Sequence, residues 1–199
     1  MLSRVRGFTL IELMVVVVIM GILLAIGIPS YRVWMQNLHI RNAAEAIENG
    51  LTVARNEAVR RNSPMRFQFV STLDSSCALV ASGTTWAVSQ DDPTGLCNIS
   101  PSDTVNPRIV QTRSGGEGSA SVITSVVPAN VSTVTFNGLG RVVANSDGTA
   151  SLNQVNVDLP TSVISAAQSR DLRVTVSIPG GQIRLCDPNV TNMTDPRRC

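Results

Sequence analysis

Few residues in this chain could do chemistry. One carboxylate, Glu12, sits near the start of RGFTLIELMVVVVIMGILLAIGI, a stretch otherwise suited to hydrocarbon. One histidine, His39, follows, and four cysteines come later: Cys77, Cys97, Cys186 and Cys199. None of the cysteines forms the close CxxC pair that zinc binding or thioredoxin-like redox chemistry needs. Four widely spaced cysteines suit two disulfides instead. Three connectivities are open; pairing neighbours, Cys77 with Cys97 and Cys186 with Cys199, closes short loops and is the expected one. Such bonds belong to an oxidising compartment. His39 has no second histidine or nearby cysteine beside it, so it reads as a solvated helix residue, and no metal or cofactor is expected. No GxSxG, HExxH or P-loop pattern occurs, so the sequence gives an enzyme nothing to work with. The last group is basic: Arg170, Arg173, Arg184, Arg197 and Arg198 stand against Asp171, Asp187 and Asp195 near the C-terminus. Guanidinium forks fit phosphate oxygens. A Cys186–Cys199 bond would hold Arg197 and Arg198 near the strand carrying Arg184, although the neighbouring aspartates offer these arginines simpler partners.

The elements that must position these groups follow from composition. The chain has 199 residues, 16 arginines, no lysine and 14 acids. Near-neutrality speaks against a general polyanion binder and leaves only local patches. That length allows one globular domain with an appended element. The appended element is the run from residue 8 to 28, interrupted only by Thr9 and Glu12. As a helix it covers about 30 Å, the depth of a bilayer core. Arg4 and Arg6 precede it without an acid, which places the N-terminus in the cytoplasm and the rest across the membrane. A secretory signal peptide shares the basic start, but this run is longer, lacks a small-x-small cleavage pattern and continues past Pro29. In hydrocarbon a charged Glu12 costs up to about 2.5–3.5 kcal/mol at a helix centre and less near an end, so a partner cation is called for.

Pro29 removes a helix hydrogen bond, so a kink or loosening is expected there. Beyond it Ile40, Ala44, Ile47, Leu51, Ala54 and Ala58 recur at steps of four and three, one apolar stripe that should pack on a sheet. Tyr31 and Trp34 fall where amphipathic rings favour the membrane interface. Glu57 and Arg61 form an exposed pair four residues apart, and Asn62-Ser63-Pro64 ends the helix. After Pro64 the runs MRFQFV, CALVAS, TTWAVSQ, RIVQT, SVITSVV, STVTF, GRVVA, QVNVDL, DLRVTVSI and QIRLC read as strands. SGTT, NGLG and PGG supply candidate hairpin turns, and RSGGEGS a flexible surface loop. The expected class is α+β, a long N-terminal helix laid across antiparallel sheets.

Gly7-Phe8-Thr9-Leu10-Ile11-Glu12, after a short basic leader and before a long apolar helix, resembles the class III signal of type IV prepilins and pseudopilins. The resemblance implies that a prepilin peptidase cuts between Gly7 and Phe8 and methylates the new amino group. It divides the chain into a leader (1–7), a transmembrane part (8–28), an amphipathic periplasmic helix (29–62) and a head (63–199). Loss of Arg4 and Arg6 would leave 14 basic against 14 acidic residues. The cation for Glu12 would be the Phe8 amino group of a neighbouring subunit in a fibre; the alternative is a carboxylate that only snorkels to the interface. In the head, FNGLGRV and the ending GGQIRLCDP with DPRRC resemble the domain shared by GspH and FimT proteins.

FimT-like proteins are associated with DNA capture through a C-terminal G-R-x-R motif. Here the matching residues are Gly181-Gln182-Ile183-Arg184, so only Arg184 carries over, with Arg197 and Arg198 as further candidates. The four N-x-S/T triplets, at Asn98, Asn130, Asn189 and Asn192, are read as chance in a bacterial protein. The resemblance implies a non-catalytic minor pilin or pseudopilin, anchored once in the bacterial inner membrane with its head in the periplasm and later carried in the fibre. Its partners would be prepilin peptidase, other minor and major pilins or pseudopilins, the inner membrane and, for the arginines, double-stranded DNA. A type II secretion pseudopilin, a pilus-displayed DNA receptor and a plain signal-anchored protein are the rival readings.

Overall fold

A computed structural model describes residues 9–119 and 121–199. One helix, α1 (Leu10–Arg61), leads into nine strands: β1 (Met65–Phe69), β2 (Trp86–Ser89), β3 (Ile109–Arg113), β4 (Ile123–Val127), β5 (Thr133–Phe136), β6 (Val142–Val143), β7 (Gln154–Asp158), β8 (Leu172–Val176) and β9 (Ile183–Cys186). They form two antiparallel sheets, ordered β3-β2-β1-β5-β6 and β4-β7-β8-β9. Helix α1 runs unbroken through Pro29 and ends at Asn62, whose φ of 47° lets the chain turn out of the helix.

The helix can lie close to both sheets because alanines and Gly50 alternate with larger apolar residues along its inner face. Ile40, Ala44, Ile47, Leu51, Ala54 and Ala58 are all fully buried. Gly50 marks the tightest approach: a Cβ there would stand 2.8 Å from the Phe67 ring and 2.9 Å from that of Trp86. The rings fill the space the small residues leave. Phe67 meets Phe69 edge-on with centroids 5.1 Å apart and Trp86 at 5.6 Å, geometries that aromatic quadrupoles favour. One apolar core thus joins the helix to strands of both sheets.

Three local expectations need correction. CALVAS is not a strand. Cys77 is bonded to Cys97, the Cys77 amide donates to the Asp74 carbonyl, and only Leu79 bridges to Val70. RSGGEGS is not a free surface loop: Ser119 is buried and donates to the Gly115 carbonyl at 2.6 Å, while the Gly115 amide reaches the Thr85 hydroxyl at 3.0 Å. The Glu57–Arg61 pair is mostly covered and belongs to a network. Glu57 also binds Arg60, and Arg61 bridges on to Asp103 at 2.6 Å. The Arg60 and Arg61 guanidiniums hold the Glu57 carboxyl below its usual range against the opposing effect of burial.

Candidate functional site: the exposed helix and the C-terminal clasp

The outer half of α1 is uncovered. Every large apolar side chain from Leu10 to Ile28 is exposed, in contrast to the fully buried stripe that begins at Ile40. By length and composition this half can cross a membrane. Gly7 and Phe8 lie outside the described residues. Glu12 lies within them and closes a capping box: its amide donates to the Thr9 hydroxyl at 3.3 Å, and its Oε2 accepts from the Thr9 amide at 3.1 Å and the Thr9 hydroxyl at 3.2 Å. Two orphan donors of the helix start are satisfied, and the carboxylate is held at the positive end of the helix dipole. Oε2 accepts both bonds, which leaves Oε1 available to a cation from outside the chain.

The helix meets the head through Asn37. Its Nδ2 donates to the carbonyls of Val33 and Gln168, each at 3.0 Å, and its Oδ1 accepts from the Arg170 amide at 2.8 Å. This clamp fixes the β7–β8 connection beside the helix where it leaves its apolar half. His39, two residues on, is partly buried rather than solvated, with Nδ1 covered and unpaired among the described residues. No group of three or more metal-binding side chains occurs among the described residues.

At the other end, the two turns that prompted the GspH/FimT resemblance meet. The Val142 amide donates to the Pro179 carbonyl at 3.0 Å. Gly181 has a φ of +70°, and a Cβ there would stand 2.1 Å from the Gly140 carbonyl oxygen. The same oxygen accepts from Arg55 Nε at 3.1 Å. Helix, first sheet and second sheet are therefore joined at one point. Each turn is legible in sequence, but nothing local signals that they meet, and no spacing rule singles out Arg55 or Asn37.

The C-terminus is a clasp. Cys186 and Cys199 are bonded with Cα atoms 5.0 Å apart. The Asp187 amide donates to the Arg197 carbonyl at 2.7 Å, so the tail runs back beside the end of β9. Arg184 lies under it, with Nη2 donating to the carbonyls of Pro196 at 2.9 Å and Arg198 at 2.6 Å. Arg197 forks onto Asp195, Nε to Oδ1 at 3.1 Å and Nη2 to Oδ2 at 2.7 Å. That fork and the Arg197 amide push the Asp195 carboxyl down to about 2. The three candidate phosphate contacts are thus brought together, but Arg184 acts on the tail's own backbone and Arg197 on an aspartate.

Comparison with known proteins adds the following. The family profile described as type II transport protein GspH matches residues 43–192, and that of the prokaryotic N-terminal methylation motif matches residues 2–28. The type IV narrow pilus major component PilA5 of Thermus thermophilus is 33% identical over 100 residues, 49% of this chain and 82% of that protein. Two crystal structures of the Pseudomonas aeruginosa type IV minor pilin FimU align over 80% and 76% of this chain and 99% of their own. Their TM-scores are 0.47 and 0.45, at 17% and 15% identity.

Proposed function

This chain belongs to the GspH family of type IV pilin-like proteins, and we propose that it is a non-catalytic minor subunit that polymerises through α1 into the tip or priming complex of a type IV pilus. The observation that carries this reading is the uncovered apolar half of α1, which lies within the match to the methylation motif, with Glu12 held in place at its start. In this reading prepilin peptidase removes residues 1–7 and methylates Phe8, and the head stands on the periplasmic face of the inner membrane until assembly. The charged amino group of Phe8 on one subunit then meets Glu12 of the next, with Oε2 kept on Thr9 and Oε1 turned to the newcomer.

The test is Glu12→Ala in cells. Membrane insertion and cleavage at Gly7 should be unchanged while incorporation into sheared fibres is lost. Normal incorporation would end the proposal, and mass spectrometry showing an unprocessed, unmethylated Phe8 would favour a plain signal anchor.

The description of the matching family supports a second reading, a pseudopilin of type II secretion. Deletion separates the two: lost twitching or DNA uptake marks the pilus, whereas exoproteins held in the periplasm mark secretion. Display of a DNA contact is a finer possibility that the folded-back tail supports in one respect, since it sets Arg197 and Arg198 beside Arg184. Duplex DNA titration at two salt concentrations tests it. Binding that falls with salt and disappears when Arg197 and Arg198 become Gln supports the contact; no binding by the intact protein removes it.

A further inference from the structure

We propose that the Ser165–Arg170 segment and Arg32 form a foot with which the head rests on an anionic lipid surface while the subunit is still in the membrane. The proposal rests on the membrane-anchored reading of α1 and adds a second contact with the same bilayer. Height is the first argument. Gln168 lines a cleft together with Pro29, Ser30 and Val33, directly after the last apolar residue of the span. Its carbonyl accepts from Asn37, roughly 13 Å beyond Ile28, so the segment reaches down the helix from the level of Asn37 to the cleft. At about 1.5 Å per residue, Ser30 stands roughly 3 Å and Val33 roughly 7 Å beyond Ile28. The headgroup layer occupies about 5–7 Å on each side of the hydrocarbon core. The lower edge of the segment therefore falls at headgroup level.

Charge is the second argument, and it chooses the lipid. No acidic residue occurs between Glu12 and Glu45, nor between Asp158 and Asp171, whereas Arg32, His39, Arg41 and Arg170 fall in those two intervals. Arg41 is paired with Glu45. Arg32 and Arg170 are exposed and make no ion pair among the described residues. Of the acids around the segment, Asp158 and Asp171 both accept from the Ser169 hydroxyl, and Asp187 shares a cleft with Arg170 and the two further arginines Arg41 and Arg197. Tyr31 and Trp34, exposed with ring centroids 5.7 Å apart, stand at the same level and suit the interface. The segment is also held from behind, because Ile164 is buried in the core and Asn37 fixes the Arg170 amide. A braced segment with two exposed arginines outside any ion pair among the described residues, and with more arginines than acids around it, matches negatively charged headgroups.

The foot fixes the height and rotation of the head before polymerisation, and extraction of the subunit must break it. The amides of Ala166 and Ala167 find no acceptor among the described residues, so their hydrogen exchange reports cover supplied from outside. The experiment places the full chain, one copy per nanodisc, in phosphatidylcholine alone or with one third phosphatidylglycerol and follows exchange over this segment. Each arginine near an anionic surface favours contact by about fivefold, so exchange should slow by up to about 30-fold in the anionic discs. The slowing should vanish at high salt and in the Arg32→Gln, Arg170→Gln double variant, whose fold is checked by the fluorescence of buried Trp86. Equal exchange in the two discs overturns the foot, as does slowing that survives both salt and the double substitution. A chain that never enters the discs overturns the anchored reading and the foot with it.

Discussion

Replacing Gly181 by alanine tests whether the meeting of the two turns holds the head together. Two costs apply. The first is conformational: at φ +70° a Cβ crowds its own backbone, costing about 1–2 kcal/mol. The second is steric. The new methyl would stand 2.1 Å from the Gly140 carbonyl oxygen, and the turn cannot retreat freely because Arg55 holds that oxygen and the Pro179 carbonyl holds Val142. Forced repacking of this kind costs about 1–3 kcal/mol. The sum is about 2–5 kcal/mol, a large share of the stability of an ordinary domain. Gly148→Ala is the matched control, since its φ is +76° but nothing lies within 4 Å of its Cβ. It carries the first cost alone. Denaturant unfolding of the detergent-solubilised chain, read from Trp86 because Trp34 is already exposed, should find Gly181→Ala less stable than Gly148→Ala by about 1–3 kcal/mol. Equal losses would refute the contact as a source of stability.

Removing the clasp by Cys186→Ser with Cys199→Ser opens a loop spanning 13 positions. Chain entropy puts that at about 3 kcal/mol, measured by the same unfolding assay, and a loss under about 1 kcal/mol would mean that Arg184 holds the tail without the bond. Asp158 carries a pH effect of opposite sign to most carboxylates. Burial and the adjoining Asp171 carboxyl raise its pKa in the folded state, so its contribution is favourable below the unfolded pKa and is lost as pH rises through the folded one. Asp158→Asn should therefore stabilise the head near neutral pH, with the gain disappearing as Asp158 of the parent chain becomes protonated. An equal gain throughout the acid range would contradict this.

Where the sequence was readable, the signal was periodic and local. The steps of Ile40, Ala44, Ile47, Leu51, Ala54 and Ala58 mark the buried face of α1 because helical geometry alone puts them there. Asn62 ends the helix for an equally local reason, its tolerance of positive φ. CALVAS misleads because its Val and Leu content suggests a strand, whereas the expected Cys77–Cys97 bond and a turn draw its first residues away from the sheet. RSGGEGS misleads because its acceptors, Thr84 and Thr85, lie about 30 positions earlier in the chain. Arg184 is the instructive case among the site residues. Its type and place suggest a phosphate contact, but the acceptors it finds are carbonyls delivered by the fold of the tail.

The uncovered half of α1 sets the terms for assembly. Its side chains gain little by leaving lipid for a bundle of like helices, because hydrocarbon tails are as apolar as Val and Leu. In the proposed assembly, apolar matching would therefore keep the subunit in a bilayer and in a fibre about equally well, and the choice between them would fall to a polar term. Among the described residues from 9 to 28, Glu12 is the one charged side chain. The capping box makes that carboxylate a fixed acceptor, with Oε2 already engaged by Thr9. An arriving cation then meets an oriented Oε1 and has less side-chain freedom to freeze than it would with a free glutamate. Under the proposed assembly Thr9 is a positioning residue for Glu12: the pairing with a neighbour's amino group would begin with a helix cap encoded in four consecutive residues.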